Sequence, residues 1–417
     1  MKKIFGMLLV LVSIFVLTSC GDSDSNTITI SYWVNNSNEK INNQYIFDAF
    51  MEENPGVTVK VVPISYDSYG DEIPRMHIGN TISDVFWLRE DYLPIFAEKG
   101  VVKDITSLVE EDSTLDTTKY FNNALQFVKY DSKLDGLPRD IGVQVMAFNL
   151  DLMGDEELPS NDWTWDDMKV LGKKLTKSSG GQITQYGLGW TDYESLVTMN
   201  SGRFYSEDSK TAQYNSSNVV ESLQFYSDLS NVYHISPTPE QSQGLGNPFT
   251  GKKAAFAVIG PWDFSKLEKV GMSYDIRALP TGYDTTSSKV KLSGLGIGIS
   301  TKTKKEELAY KLLKFLCYSE TAQTLQAEYS IAMPSIKEIA MSDTYTKSTF
   351  APPSMDIYFD ILENSTFINN HFEGELSAKR VFEDYLYKIY NNADGNIVSA
   401  ESIKDEMNTA IQKELDQ

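Results

Sequence analysis

Cysteine and histidine are both scarce in this chain, and each shortage narrows what it can do. The 417 residues include two cysteines and three histidines. His77, His234 and His371 lie far apart without ligand-spaced partners, so metal catalysis has no support and no cofactor is expected. Cys317 sits in "ELAYKLLKFLCYS", where Leu308, Leu312, Phe315 and Leu316 mark a helical apolar stripe, and it reads as a buried structural thiol. Positive charge is short as well: 37 Lys and Arg against 58 Asp and Glu leave a formal charge of −21, a surface that repels nucleic acid and anionic lipid. No nucleic-acid partner is expected. A phosphate-binding loop is missing too, since "GKKAAF" lacks the upstream glycine spacing and the Ser/Thr of that motif. The apolar run over residues 4–17 falls short of the about 20 residues that a bilayer-spanning helix needs.

That run follows Lys2 and Lys3 and ends in "FVLTSCGDSD", so residues 1–19 read as a secretion signal with small residues before the cut. The acidic stretch behind it has nothing apolar to bury and reads as a tether over residues 20–26. Leu17-Thr18-Ser19-Cys20 resembles the lipobox of bacterial lipoprotein precursors. The resemblance implies lipid on the Cys20 thiol and acylation of its new amino group, enough chains for stable membrane anchoring. It would also leave no intrachain disulfide possible. The alternative is a plain signal peptide with an incidental cysteine.

Further on, strand and helix periods alternate. "TITISYW" sets Ile28, Ile30 and Tyr32 against Thr27, Thr29 and Ser31, a strand with one buried face. In "NEKINNQYIFDAFMEENPG", Ile41, Tyr45, Ile46, Ala49 and Phe50 recur at helical spacing until Pro55-Gly56 stops them. "VTVKVVPI" and "SDVFWL" are further strands, and the order argues a mostly parallel sheet with helices on its faces. The pattern returns in "WTWDDMKVLGKKLTK", with Thr164 and Asp167 forming a capping box, in "AAFAVI", and in "LGIGIS" with glycines along one face. Thr303 and Glu306 suggest a second cap, and the chain ends in an amphipathic helix carrying Ile403, Met407, Ile411 and Leu415. Two α/β units fit this length.

Several longer stretches occur in an order that carries a resemblance: "FMEENPGVTVKV", "GNTISDVFWL", "DGLPRDIGVQVMAFNLDLM", "TWDDM", "FTGKKAAFAVIGPWD", "LSGLGIGIST" and "AMPSIKEI". From about residue 27 to its end the chain resembles the extracellular solute-binding proteins of ABC importers, in particular the sugar- and oligosaccharide-binding, maltose-binding-protein-like family. One departure is "DSKLDGLPRD", where members often carry a glycine–lysine pair; Asp135-Gly136 still supplies a turn. The resemblance implies an α/β, two-lobed periplasmic-binding-protein-like fold with a hinge and an interlobe cleft. Residues 27–140 and 292–338 would form one lobe, and 141–291 with 339–417 the other. The cleft would lie at the carboxyl ends of strands.

A sugar presents hydroxyls around an apolar ring, so its binder needs flat aromatics and planar polar side chains. Four of the six tryptophans stand at strand exits beside polar residues: Trp33 before Asn35 and Asn36, Trp87 before Arg89, Glu90 and Asp91, Trp190 before Asp192 and Tyr193, and Trp262 beside Asp263. Each is either a ligand platform or packing between layers. Trp163 and Trp165 flank a helix cap and read as packing. Arg139 and Asp140, at the implied crossover, offer a donor fork and a double acceptor, or else an interlobe salt bridge. Ser293-Gly294 begins the other crossing, where glycine permits close approach, hinge rotation or a β-bulge.

The function implied is capture of a sugar or oligosaccharide in the cleft and delivery to ABC permease subunits with their ATPase, by a monomeric, exported protein held by lipid at the outer face of the cell membrane, or on the periplasmic side if two membranes are present. It is not expected to be an enzyme. A secreted carbohydrate-active enzyme would need a carboxylate pair at a set separation, which an abundance of acids does not establish. A lipoprotein sensor with the same fold is the other alternative.

Overall fold

The computed structural model describes residues 25–34, 37–189, 191–283, 290–365, 375–391 and 396–416. β1 (Thr27–Val34) buries Ile28, Ile30 and Tyr32 completely or nearly so. It pairs in parallel with β2 (Thr58–Ser65) along its whole length, and with β3 (Val85–Arg89) on its other side. Parallel neighbours require a crossover, and the helix Ser37–Glu53 supplies the first. Its buried face differs from the expected stripe. Asn43, Ile46, Phe47 and Phe50 face inward, whereas Ile41 and Tyr45 are exposed. Both sets have helical spacing, and the inward one is selected by what it meets, since Asn43 accepts a hydrogen bond from Arg139 and Tyr45 stacks on Tyr329 outside the core.

After the short hairpin of β4 (Lys129–Tyr130) and β5 (Lys133–Leu134), β6 (Leu137–Val143) joins the first sheet. The second sheet begins one residue later. It contains β7 (Val145–Asn149), β8 (Lys177–Ser179), β9 (Gln182–Leu188), β10 (Ala254–Ile259) and β11 (Tyr274–Arg277), in the order β11-β7-β10-β9-β8. The chain then returns as β12 (Leu292–Ile299), giving the first sheet the order β2-β1-β3-β12-β6. Gln144 alone therefore links the two sheets on the outward path.

The β6–β12 pairing carries a bulge. Leu295 faces Asp140 and Gly296 faces Pro138, so Arg139 is the extra residue. A bulge disrupts the ladder locally and needs replacement partners. The Asp140 carboxylate accepts from the Leu295 N–H at 3.0 Å. Gln323 and Gln326, from the helix Glu320–Glu328, donate to the Arg139 carbonyl, and Ser335 donates to that of Pro138. A third segment thus braces the crossing, with the Ile141 N–H donating to Met333 and the Val143 N–H to the Tyr358 hydroxyl. The glycine face of β12 is a packing requirement: a Cβ at Gly294 would lie 2.3 Å from the Phe127 ring, and one at Gly296 2.3 Å from Val128.

One apolar core surrounds the first sheet and extends to Phe264, Tyr274 and the helix Met355–Glu363. A second fills the space around β7 and β10 with Trp163 and Trp165, both buried as expected for packing. A third holds the helices Ser217–Asn231, Glu375–Tyr390 and Ala400–Leu415 together, which places the end of the chain beside the second sheet. The Thr164–Asp167 capping box is reciprocal. Thr303 is not a cap: the helix starts at Glu306, and Thr303 instead donates to Asp84 at 2.6 Å, tying the loop to the sheet. Cys317 is buried, its thiol donating to the Leu137 carbonyl.

Candidate functional site

The junction at Gln144 has a concavity of about 660 Å³ of open space on its second-sheet side, lined by Gln144, Asn247, Phe249, Thr250, Trp262 and Lys266 among others. Trp262 follows β10 through Gly260-Pro261. A Cβ at Gly260 would fall 2.2 Å from the indole, so only glycine lets the ring fold back over the strand end. Gly142 of β6 packs against Pro261 in the same way. The outcome is a tryptophan braced along one edge and 42% exposed, a flat apolar surface with amide and hydroxyl groups around it. Asp263 does not face this space freely. Its carboxylate accepts from the Gly260 N–H and pairs with Lys266 at 2.9 Å, which holds the turn beneath the indole.

Asp192 is likewise engaged. It caps the helix Tyr193–Met199, accepting from the Ser195 N–H at 2.6 Å and the Ser195 hydroxyl at 2.7 Å, while Gln144 donates to it at 3.2 Å. Burial raises its pKa, and Glu194 adds to the effect. Through this bond the linker residue between the sheets is fastened to a helix start of the second. Ser293 stands opposite Gly142 in the β6–β12 ladder, partly buried. Trp190, Asn35 and Cys20 lie outside the described residues.

On the first-sheet side the aromatic residues are packed. Trp87 is 6% exposed. Tyr32 and Trp33 lie against it, with ring centroids 4.9 Å and 4.7 Å away, and the Arg139 guanidinium sits 4.8 Å above its ring. Trp33 is partly buried and meets Tyr66 and Tyr69 edge-on. Arg139 is buried, donating to Asp140 at 3.1 Å and to Asn43 at 2.9 Å. Burial lowers the Arg139 pKa and raises that of Asp140 to about 6, with the mutual attraction opposing both shifts. This pair lies within the first sheet rather than between lobes. Beside it, Arg89 is held by Asp91 and lies over the rings of Tyr66 and Tyr92.

Trp33, Trp87, Arg139, Asp140 and Ser293 therefore gather around the first sheet and the crossing, while Asp192, Trp262 and Asp263 gather on the second-sheet side. Gln144, Asn247 and Thr250 escaped the sequence reading. Gln144 had a usable signal, a lone amide inside the apolar run "IGVQVMAF"; Asn247 and Thr250 sit in a loop with no periodicity to mark them.

Comparison with known proteins settles the family. The sequence profile of the bacterial extracellular solute-binding proteins matches residues 37–323. The chain belongs to this family. Among solute-binding relatives, the galactooligosaccharide-binding protein of Bacillus subtilis is 25% identical over 354 residues, covering 80% of this chain and 81% of that protein. The arabinooligosaccharide-binding protein of the same organism is 24% identical, covering 77% of each. An ABC substrate-binding protein from Listeria monocytogenes, solved in complex with cycloalternan, superposes with a TM-score of 0.83 at 23% identity, over 93% of this chain and 98% of that one. The likeness establishes the mixed α/β, two-lobed fold. Among the described residues, no helix is long and apolar enough to cross a membrane, and no cluster of metal-ligating side chains is present.

Proposed function

We propose that this solute-binding protein is the capture component of an ABC importer for a sugar or oligosaccharide, and that the ligand lies between the two sheets with one ring on Trp262. The observation that carries the reading is the half-exposed, braced indole of Trp262, rimmed by Gln144, Asn247 and Thr250 at the junction of the sheets. Stacking removes apolar sugar surface from water, and the amides bond hydroxyls in either direction. Trp190 and Asn35 are proposed as further ligand contacts, with Ser293 at the crossing. Trp33, Trp87, Arg139 and Asp140 form the first-sheet wall, whereas Asp192 and Asp263 orient Gln144 and Trp262.

The two sheets with their helices act as lobes turning about Gln144, the segment before β12 and the strand contact at Met333. Ligand bound first by one lobe gains contacts from the other on closure, and that difference in affinity shifts the lobe equilibrium. A permease and its ATPase then supply the energy for transport. The relatives named for galacto- and arabinooligosaccharides support the ligand class. Cys20 is the lipid anchor in this reading; labelled lipid persisting on Cys20→Ser protein would refute that part.

The deciding experiment is a thermal-shift screen against galacto-, arabino- and malto-oligosaccharides, with scattering on any that bind. A native-selective ligand raises the unfolding temperature, and the radius of gyration should fall on binding. Unchanged ligand should be recovered afterwards. If no saccharide raises stability, the proposed ligand class is wrong; recovery of cleaved sugar would make the protein an enzyme.

A further inference from the structure

The two passages between the sheets are short, and each is held on both sides. On the outward path Val143 is the last residue of β6 and Val145 the first of β7, where it pairs with Ile259. On the return path Leu292 opens β12 opposite Val143 in the same ladder, so Gln144 and Lys291 leave the first sheet side by side. Val143 is held by Tyr358, whose hydroxyl accepts from the Val143 N–H at 2.9 Å and donates to the Val143 carbonyl at 3.4 Å. Tyr358 is fully buried, and its neighbour Phe359 stacks on Phe121 with ring centroids 6.3 Å apart. At the start of the same helix Ser354 bonds Asp275 of β11, so the seat of Tyr358 is common to both sheets.

Gln144 and Lys291 are fastened in the other direction. The Gln144 amide donates to Asp192 at 3.2 Å, and its carbonyl oxygen accepts from the Ser195 hydroxyl, which lies 2.7 Å from the same carboxylate. Lys291 pairs with Glu194 at 3.4 Å. One helical turn on the second-sheet side, Asp192 to Ser195, therefore gathers both linking residues. Anchored groups resist rotation, because turning them leaves buried polar atoms unmet. Between the two sets of anchors each passage keeps one peptide link, Val143–Gln144 outward and Lys291–Leu292 on return. Hinges are a few such element-terminal residues that absorb the change in φ and ψ, and two that face each other across one ladder define a line about which the lobes can turn.

We propose that lobe closure turns on these two facing peptide links, with Tyr358 and Ser195 as the positioning residues that clamp the chain on either side of them. The inference rests on the reading of the two sheets as lobes of a saccharide-binding protein, and adds to it where the turn occurs and what confines it. Releasing a clamp spreads the flexible stretch over neighbouring residues, so the open molecule samples more arrangements and closure has more of them to lose.

Structures of the purified protein alone and with a saccharide that raises its unfolding temperature test the location. The change in φ and ψ should concentrate at Val143, Gln144, Lys291 and Leu292, with the Tyr358–Val143 and Gln144–Asp192 bonds kept in both states. A change spread through Pro138–Gly142 or Val145–Phe148, or either bond broken in one state, would overturn the proposal. The clamps can be tested without a ligand. Spin labels at the exposed positions Glu110→Cys and Lys177→Cys, one on each lobe, in a Cys20→Ser background read the spread of lobe separations. Ser195→Ala and Tyr358→Phe should each broaden it, whereas Ser195→Thr, which keeps a hydroxyl, should match wild type. In both broadened variants every saccharide that binds should do so more weakly by a similar factor, about tenfold; loss of a direct contact would instead discriminate between saccharides. Circular dichroism and the unfolding temperature check that each variant is folded. A wild-type spread in either folded variant would overturn the proposal, and Ser195→Ala decides it alone if Tyr358→Phe does not fold. Failure of every saccharide to bind would remove the proposed ligand class, while the ligand-free label distances would still decide the pivot.

Discussion

Trp87 and Trp262 carry the same local signal, a tryptophan near the end of an apolar strand with acidic residues close behind, yet they end in opposite surroundings. Trp87 is 6% exposed, enclosed by Tyr32, Trp33 and the Arg139 guanidinium. Trp262 is 42% exposed, with Gly260 and Gly142 packed along one edge. The difference comes from what the neighbouring chain delivers to each strand end. Beside Trp87 a bulge places Arg139 over the ring; beside Trp262 two glycines leave room for the indole to lie back, and much of the ring stays exposed. A strand exit specifies a location, and the residues arriving from distant segments decide whether a ring there is core or platform.

The sharpest way to break this comparison is to truncate both rings. Trp87→Ala should cost about 3–5 kcal/mol of stability, the range for removing a large buried aromatic, read as a lower denaturant midpoint. A loss under about 1 kcal/mol would mean that Trp87 is not core.

A pH effect of the same wall comes next. Asp135 is buried beside β6, and its Oδ2 has no hydrogen-bond partner. Burial, helped by Asp104, raises its pKa to about 7, whereas in the unfolded chain it titrates near 4. Between these values the folded protein keeps a proton that the unfolded chain has released, so stability falls as pH rises from about 4 to about 7, by roughly 3 kcal/mol. Asp135→Asn should flatten that part of the stability profile. An unchanged slope would show that the carboxyl ionises normally.

Trp262→Ala should leave stability within about 0.5 kcal/mol and weaken saccharide binding by about 2 kcal/mol, roughly 30-fold, with Trp262→Phe between it and wild type. Wild-type affinity in folded Trp262→Ala would return Trp262 to a packing role. The smallest effect is expected at its seat: Gly260→Ala places a Cβ where the indole lies, and tilting the platform should cost about 1 kcal/mol of binding, short of the loss for a deleted hot spot. Calorimetry equal to wild type would mean that the ring's tilt is immaterial.

Much of the fold was legible in one dimension because its signals are local. The buried set Ile28, Ile30 and Tyr32 follows from side chains alternating across a strand, and the Thr164–Asp167 box from the reach of two side chains over one helical turn. The face of the helix Ser37–Glu53 was not legible. Ile41 and Tyr45 share helical spacing with the stripe that is buried, and only the arrival of Arg139 against Asn43 selects between the two faces. Thr303 shows the same limit, being drawn from a capping position to Asp84, which lies 219 residues earlier.

For the candidate site the division is similar. Composition gave no support for a metal-histidine centre and argued against a nucleic-acid surface, because the three histidines lack ligand-spaced partners and the charge balance is negative. Order and spacing of motifs identified the family, and the positions of Trp262, Asp192 and Arg139 near strand ends and crossings followed from it. Which of these face open space was decided by tertiary structure alone. Asp192 and Asp263 meet backbone N–H groups and Gln144 or Lys266, and Arg139 meets Asn43 and Trp87. Polar side chains are satisfied by whatever partner folding brings within about 3 Å, and most of those partners come from other elements of the chain.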